Sequence, residues 1–176
     1  MITEINIDKF DEIFAIMKNS FPEDEFRPYE EQKALFSDKR YKVFGNIEED
    51  KLSSFIATWF FKDFIFIEHF ATDPAYRNMG IGEKILSYLL ETFSMPLCLE
   101  VEKPEYETQK RRVAFYTRNG FTLNRFPYMQ PPISQGKAPV PLMIMTSGGY
   151  VTEEEFLSIK KTLYNEVYNV NENTTF

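Results

Sequence analysis

Three groups of residues in this 176-residue chain have types and spacings suited to chemistry. The first is the run Arg77-Asn78-Met79-Gly80-Ile81-Gly82, between a β-prone segment and a long segment with helical apolar spacing. A helix start exposes unpaired N–H groups and a partial positive charge. Glycines let an anion approach the backbone, and Arg77 adds a guanidinium. The fitting ligand is a phosphate or pyrophosphate. Neither Gly-x-x-x-x-Gly-Lys-Ser/Thr nor Gly-x-Gly-x-x-Gly is present, so the loop is neither a P-loop nor a dinucleotide fingerprint. Tight helix–strand packing also uses such glycines, and that reading stands beside the anion one. The second group is Phe115-Tyr116 followed by Gly120-Phe121. A tyrosine titrating near ~10 serves as a proton donor, or as a plain core aromatic. The third is a pair of carboxylates, Glu68 and Glu100, on β-prone segments.

Strand alternation puts Phe64, Phe66, Glu68 and Phe70 on one face and Ile65, Ile67, His69 and Ala71 on the other. A carboxylate amid three phenylalanines is expected to titrate high, which suits a base. Glu68 is therefore the first candidate base; Glu100 and a water chain are the alternatives. A solvated or Arg-paired Glu68 is the bland reading. His69, the only histidine, is expected on the aliphatic face as a satisfied core residue, unless a bulge shifts the strand's parity. Cys98 lies between two leucines and reads as packing. The Glu-rich segments 23–31 and 153–155 read as solvated faces.

These residues need a scaffold. Ile2, Ile5 and Ile7 suggest a first strand, and residues 8–19 and 29–37 suggest two helices. Residues 41–47, 52–61 and 64–72 read as an antiparallel meander. Ile81, Ile85, Leu89 and Phe93 recur every four residues as a buried helix face, which Pro96 ends. A strand over 97–102, a helix over 106–119 closed by Gly120, and strands over 121–128 and 140–146 follow. Thr152 and Glu155 form a capping box for a last helix, with the tail 169–176 frayed. The whole reads as one mixed α/β sheet with helices on its faces, a single domain over 1–168 including the helix 152–168.

Composition narrows the function. One cysteine and one histidine exclude an internal disulfide framework and a Cys/His zinc site, so no metal is expected. The net charge of −7 argues against broad nucleic-acid binding and leaves a cationic partner open. No apolar run reaches the ~20 residues of a membrane span, and the N-terminus does not look like a signal peptide. A cytoplasmic chain without membrane contact is expected.

Arg77-x-x-Gly80-x-Gly82 followed by Phe115-Tyr116-x-x-x-Gly120-Phe121 resembles the GNAT superfamily of acetyl-CoA-dependent N-acetyltransferases, and the element order from residue 2 to about 146 resembles it too. Tyr128-Met-Gln-Pro-Pro-Ile and Pro139-Val-Pro-Leu-Met-Ile-Met are similar to a bacterial branch of it. The resemblance implies a central, mostly antiparallel sheet splayed between strands 64–72 and 97–102. It implies that the amides of Arg77, Asn78, Met79, Gly80, Ile81 and Gly82 hold the pyrophosphate of coenzyme A. The pantetheine arm would pair with Phe70, Ala71 and Thr72, and Tyr116 would lie near the thioester sulfur. Many members carry Asn seven residues before that tyrosine; here it is Gln109. Arg118 is a further candidate for a CoA phosphate.

The implied activity is acetyl transfer from acetyl-CoA to the primary amine of a small molecule or peptide, through direct attack, by a monomer or homodimer. The negative charge and the acidic 23–31 loop favour a cationic acceptor. The competing readings are a non-catalytic acyl-CoA-binding regulatory module and a domain that uses the fold for assembly alone.

Overall fold

The computed structural model covers residues 1–176 and gathers them into two compact units, Met1–Cys98 and Leu99–Phe176. In the first unit the strands are β1 (Ile2–Ile5), β2 (Tyr41–Glu48), β3 (Lys51–Phe60) and β4 (Ile65–Thr72). They pair in that order, each antiparallel to the next. Two helices, α1 (Phe10–Ser20) and α2 (Tyr29–Ala34), lie between β1 and β2, and α3 (Ile81–Thr92) follows β4. The meander forms because β-branched and aromatic residues fill these strands. The reversal at Glu49 and Asp50 takes both residues into the left-handed region.

α3 forms where the four-residue apolar spacing predicts a helix. Ile81, Ile85, Leu86 and Leu89 are buried on the face turned to β2, β3 and β4. α1 is buried through Phe10, Ile13, Ile16 and Met17 and packs on β3 and β4. The expected second helix over 29–37 is shorter: α2 gives way to a 3-10 turn at Leu35–Ser37.

The second unit carries β5 (Leu97–Glu102, which begins two residues before the unit boundary), α4 (Glu107–Arg118), β6 (Phe121–Gln130), β7 (Val140–Ser147) and α5 (Glu153–Thr162). β7 lies between β5 and β6 and is antiparallel to β6. Gly120 ends α4 with φ +85°, as its position predicts. The Thr152–Glu155 capping box opens α5. A π-turn at Leu163–Val167 extends it, and Phe156, Ile159, Leu163 and Val167 form the buried stripe. The tail makes bonds where fraying was expected: Val170 N donates to Tyr164 O, and Glu172 pairs with Lys161 at 3.1 Å.

The fold is the mixed α/β arrangement the sequence predicts, with seven strands in mainly antiparallel pairing. Leu89 has no solvent exposure. Leu89→Ala is expected to cost about 2–5 kcal/mol of unfolding free energy, measured by urea denaturation, through the lost transfer energy and the cavity left behind.

Candidate functional site

Strand β4 turns sharply after Thr72. Asp73 accepts a bond from Ala75 N, and a short 3-10 turn at Pro74–Tyr76 leads into Arg77. Asn78 (φ +63°) and Gly80 (φ +73°) then take the left-handed conformation, and α3 starts at Ile81. A Cβ built on Gly80 meets nothing within 4 Å. Gly80 is therefore needed for its backbone angle and not for room, and the space beside it is open to a ligand. Residues 77–80 are all exposed, Met79 to 65%. The first intrahelical bond runs from Lys84 N to Gly80 O, so the amides before it face outward from the helix start. The turn thus fits a diphosphate: open amides, a helix dipole and a guanidinium at one place.

Arg77 is not idle here. Its Nε donates to Thr72 O at 3.2 Å, and Nη2 lies 3.5 Å from Ser20 Oγ at the end of α1. On the Phe70–Thr72 stretch, Ser54 Oγ donates to Ala71 O and contacts Thr72 Oγ1 at 3.1 Å.

β4 contains a bulge. Ala57 of β3 faces His69, and the next residue, Thr58, faces Ile67. Glu68 is the extra residue. Strict alternation therefore fails at this point, and Glu68 and His69 both engage the segment that follows α1. His69 is 3% exposed; its Nε2 donates to Glu25 O at 2.7 Å, and its ring meets Phe21 edge-on at 5.1 Å. It is a core histidine, as expected, with Nε2 bonded to the backbone and Nδ1 left without an aligned hydrogen bond.

The Glu68 side chain is 2% exposed and lies 2.8 Å from the Arg27 guanidinium, itself 6% exposed. His69 Nδ1 is 3.5 Å from the other carboxylate oxygen. Neither oxygen receives a well-aligned hydrogen bond, so charge holds the group together. The expectation of a high-titrating Glu68 is reversed. Burial alone pushes the carboxyl up, but the Arg27 charge, helped by His69, outweighs it and holds the carboxyl down at about 2. The bland, Arg-paired alternative is the one realised. Within the acidic segment 23–31, expected to be a mostly solvated face, Phe26 and Arg27 are buried, and so is Gln32 just beyond it.

In the second unit, Tyr116 is buried in α4 and meets Phe115 and Phe121 edge-on. Burial pushes its phenol up to about 12, with Arg112 opposing weakly. It stays protonated across the physiological range and is fitted to donate a hydrogen bond. Gln109 Oε1 accepts from the backbone N–H groups of Glu105 and Tyr106, which ties it to the start of α4. Arg118 is exposed at the last residue of α4.

Glu100 is half-buried on β5 and accepts the hydroxyls of Tyr128, in a short bond, and Tyr168, at 2.7 Å. Burial and the Glu100 charge push the Tyr128 phenol well above its ordinary value. Neither tyrosine was singled out from sequence as a partner of Glu100. Tyr168 is supplied by the π-turn, for which local spacing gives no signal.

Residues 9–121 match the acetyltransferase (GNAT) family. The chain belongs to the GNAT family. A GNAT-family protein of Bacteroides thetaiotaomicron is 33% identical, covering 97% of this chain and 99% of its own, with a TM-score of 0.86. The ribosomal-protein-S18-alanine N-acetyltransferase of Escherichia coli shares the fold at 19% identity, with a TM-score of 0.66 over 87% of this chain and 96% of its own. An aminoglycoside 6′-N-acetyltransferase complexed with coenzyme A shares it at 14% identity and a TM-score of 0.64, over 84% of this chain and 96% of its own. No match is found among curated proteins. The Arg77–Gly82 turn lies inside the matched residues, and its residues 77–80 are exposed.

Because its folded carboxyl lies below the ordinary 4.5, Glu68 contributes stability above that pH, and the contribution disappears as pH falls from there towards about 2. Glu68→Gln is expected to destabilise the protein at pH 7 by on the order of 3 kcal/mol, by stranding the buried Arg27 charge. The gap to the native protein should narrow steadily in urea melts taken between pH 5 and pH 2.

Proposed function

We propose that this GNAT-family chain transfers an acetyl group from acetyl-CoA to a primary amine of a small molecule or peptide. The observation that carries the reading is the exposed Arg77–Gly82 turn, whose left-handed Asn78 and Gly80 leave the start of α3 open to a diphosphate. Neighbours of the same fold, one acting on an alanine of a ribosomal protein and one on an aminoglycoside, support an amine as acceptor. The aminoglycoside enzyme, complexed with coenzyme A, supports the acyl donor.

Acetyl-CoA, when bound, supplies the activated acyl group; the chain's residues do the rest. Arg77 and the amides of residues 78–82 hold the diphosphate. Phe70, Ala71 and Thr72 align the arm along the end of β4, and a backbone N–H there takes the charge that gathers on the carbonyl oxygen. An amine with a pKa near ~10.4 must first lose a proton. Its nitrogen then bonds to the acetyl carbon and sheds its second proton to water; the carbon–sulfur bond breaks, and the sulfur leaves as a thiolate that takes its proton from water.

Glu100, held by Tyr128 and Tyr168, and a chain of waters are the remaining candidates to take the amine proton. Glu68 is not assigned that step, because its carboxylate is taken up by the buried Arg27 guanidinium 2.8 Å away. Tyr116 donates a hydrogen bond to the departing sulfur. Gln109 and Arg118 play secondary parts at most: the first is engaged at its helix start, and the second is available to a phosphate from the surface.

The test is thiol release from acetyl-CoA by the purified protein across polyamines, aminoglycosides, amino acids and peptides with free amino termini. Release with at least one amine is expected. CoA binding with no release from any of them favours the non-catalytic acyl-CoA-binding module. Tyr116→Phe is expected to lower kcat by about 10²–10³-fold with the amine KM little changed. Arg77→Ala is expected to shrink the rise in melting temperature produced by CoA. In the native protein, saturation at ~100 times Kd is worth ~2.7 kcal/mol.

A further inference from the structure

Buried charge on the first unit is concentrated where β4 meets the segment after α1. Arg27 reaches Glu68 at 2.8 Å, and both side chains are almost wholly out of water. The same segment is tied down at three more points. Glu25 O accepts from His69, Phe21 packs on the His69 ring, and Arg27 N donates to the buried Gln32 Oε1 at 3.3 Å. Gln32 Nε2 in turn donates to the Tyr41 hydroxyl of β2 at 3.1 Å. Burial pushes the Tyr41 phenol up, and the Glu68 charge adds to it. A chain of polar contacts therefore runs from β2 through Gln32 and Arg27 to the bulge in β4. A bulge re-aims a side chain, and here it turns Glu68 onto Arg27.

The segment so held lies beside the proposed acyl-binding stretch. It covers Glu68 and His69, immediately before Phe70–Thr72, and Ser20 at its entry touches Arg77. It also presents the exposed acidic residues Glu23 and Asp24. Their negative charge attracts an ammonium arriving at this segment. The 3-10 turn Glu23–Glu25, with its internal bond from Glu25 N to Pro22 O, is held to β4 through Glu25 O and, just beyond the turn, through the Arg27–Glu68 pair.

We infer that Arg27 and Glu68 are positioning residues: together they lock the segment Phe21–Tyr29 onto β4 and so set the enzyme's affinity for a cationic primary amine. The inference rests on the acetyltransferase reading for its substrate, while the lock itself does not.

The experiment compares the full-length native protein with Arg27→Met, Glu68→Gln and the double variant Arg27→Met/Glu68→Leu. A buried ion pair can be replaced by apolar side chains of similar volume with little loss, whereas removing one partner is costly. The single variants are expected to speed amide hydrogen exchange over residues 21–29 at least tenfold and to raise the amine KM at least tenfold, with kcat within about threefold. The double variant is expected to recover native exchange protection there, with kcat and its pH profile unchanged and KM within about fivefold of native.

A double variant that is folded and protected but has lost a hundredfold or more in kcat would show that the Glu68 carboxylate does chemistry, and would overturn the inference. Single variants with native exchange and native KM would overturn it as well. If the native protein releases no thiol with any amine, the acetyltransferase reading and the substrate clause fall together. The exchange data then decide the lock alone, by whether the double variant recovers the protection that the singles lose.

Discussion

A guanidinium and a carboxylate removed from water together constrain everything around them. Either charge alone in that place would be costly, so the backbone on both sides must be held where the two meet. In the first unit this constraint ties a loop to a strand. Arg27 enters from a segment dense in acidic residues, and Glu68 enters from a bulge in β4. The surrounding Phe21, Gln32, Tyr41 and His69 close the environment so that few polar atoms there reach solvent. The low-titrating carboxyl is a consequence of that pairing.

The opening of α3 follows the opposite logic. Its amides are left exposed, and its left-handed residues hold the turn without any side chain filling it. A helix end is usually capped from within; here Gly80 occupies the cap position and offers no side-chain oxygen. The unsatisfied donors make the turn receptive to an anion, and Arg77 bonded to Thr72 O sits beside them. In one unit of fewer than a hundred residues, one charged group is sealed away and another is left open.

Much of this was legible in the residues. The four-residue apolar rhythm marks α3, the Thr152–Glu155 box marks α5, and the Arg-x-x-Gly-x-Gly run marks the turn. Each of these signals is local, so short-range sterics and capping chemistry suffice to read it. The reading of β4 failed at one residue. Alternation assumes that each residue opposes one partner, and the bulge opposite Ala57 and Thr58 breaks that count. Arg27 was invisible for a related reason. Its neighbours in sequence are acidic and mostly exposed, while its partner lies forty-one positions further along the chain, and nothing in its own segment announces a buried charge. The Glu100–Tyr128–Tyr168 group is of the same kind, because Tyr168 is aimed by a π-turn whose extra residue leaves no periodic trace.

The sequence by itself determined the elements, their order, the family and the position of the glycine turn that opens α3, since these follow from periodicity, glycine placement and motif spacing within short stretches of chain. Only the tertiary structure decided how the carboxylates are partnered. Their titration depends on which charges and hydroxyls arrive from distant segments, and the Coulomb energy that fixes it is set by separations of a few ångströms in space, whatever the distance along the chain.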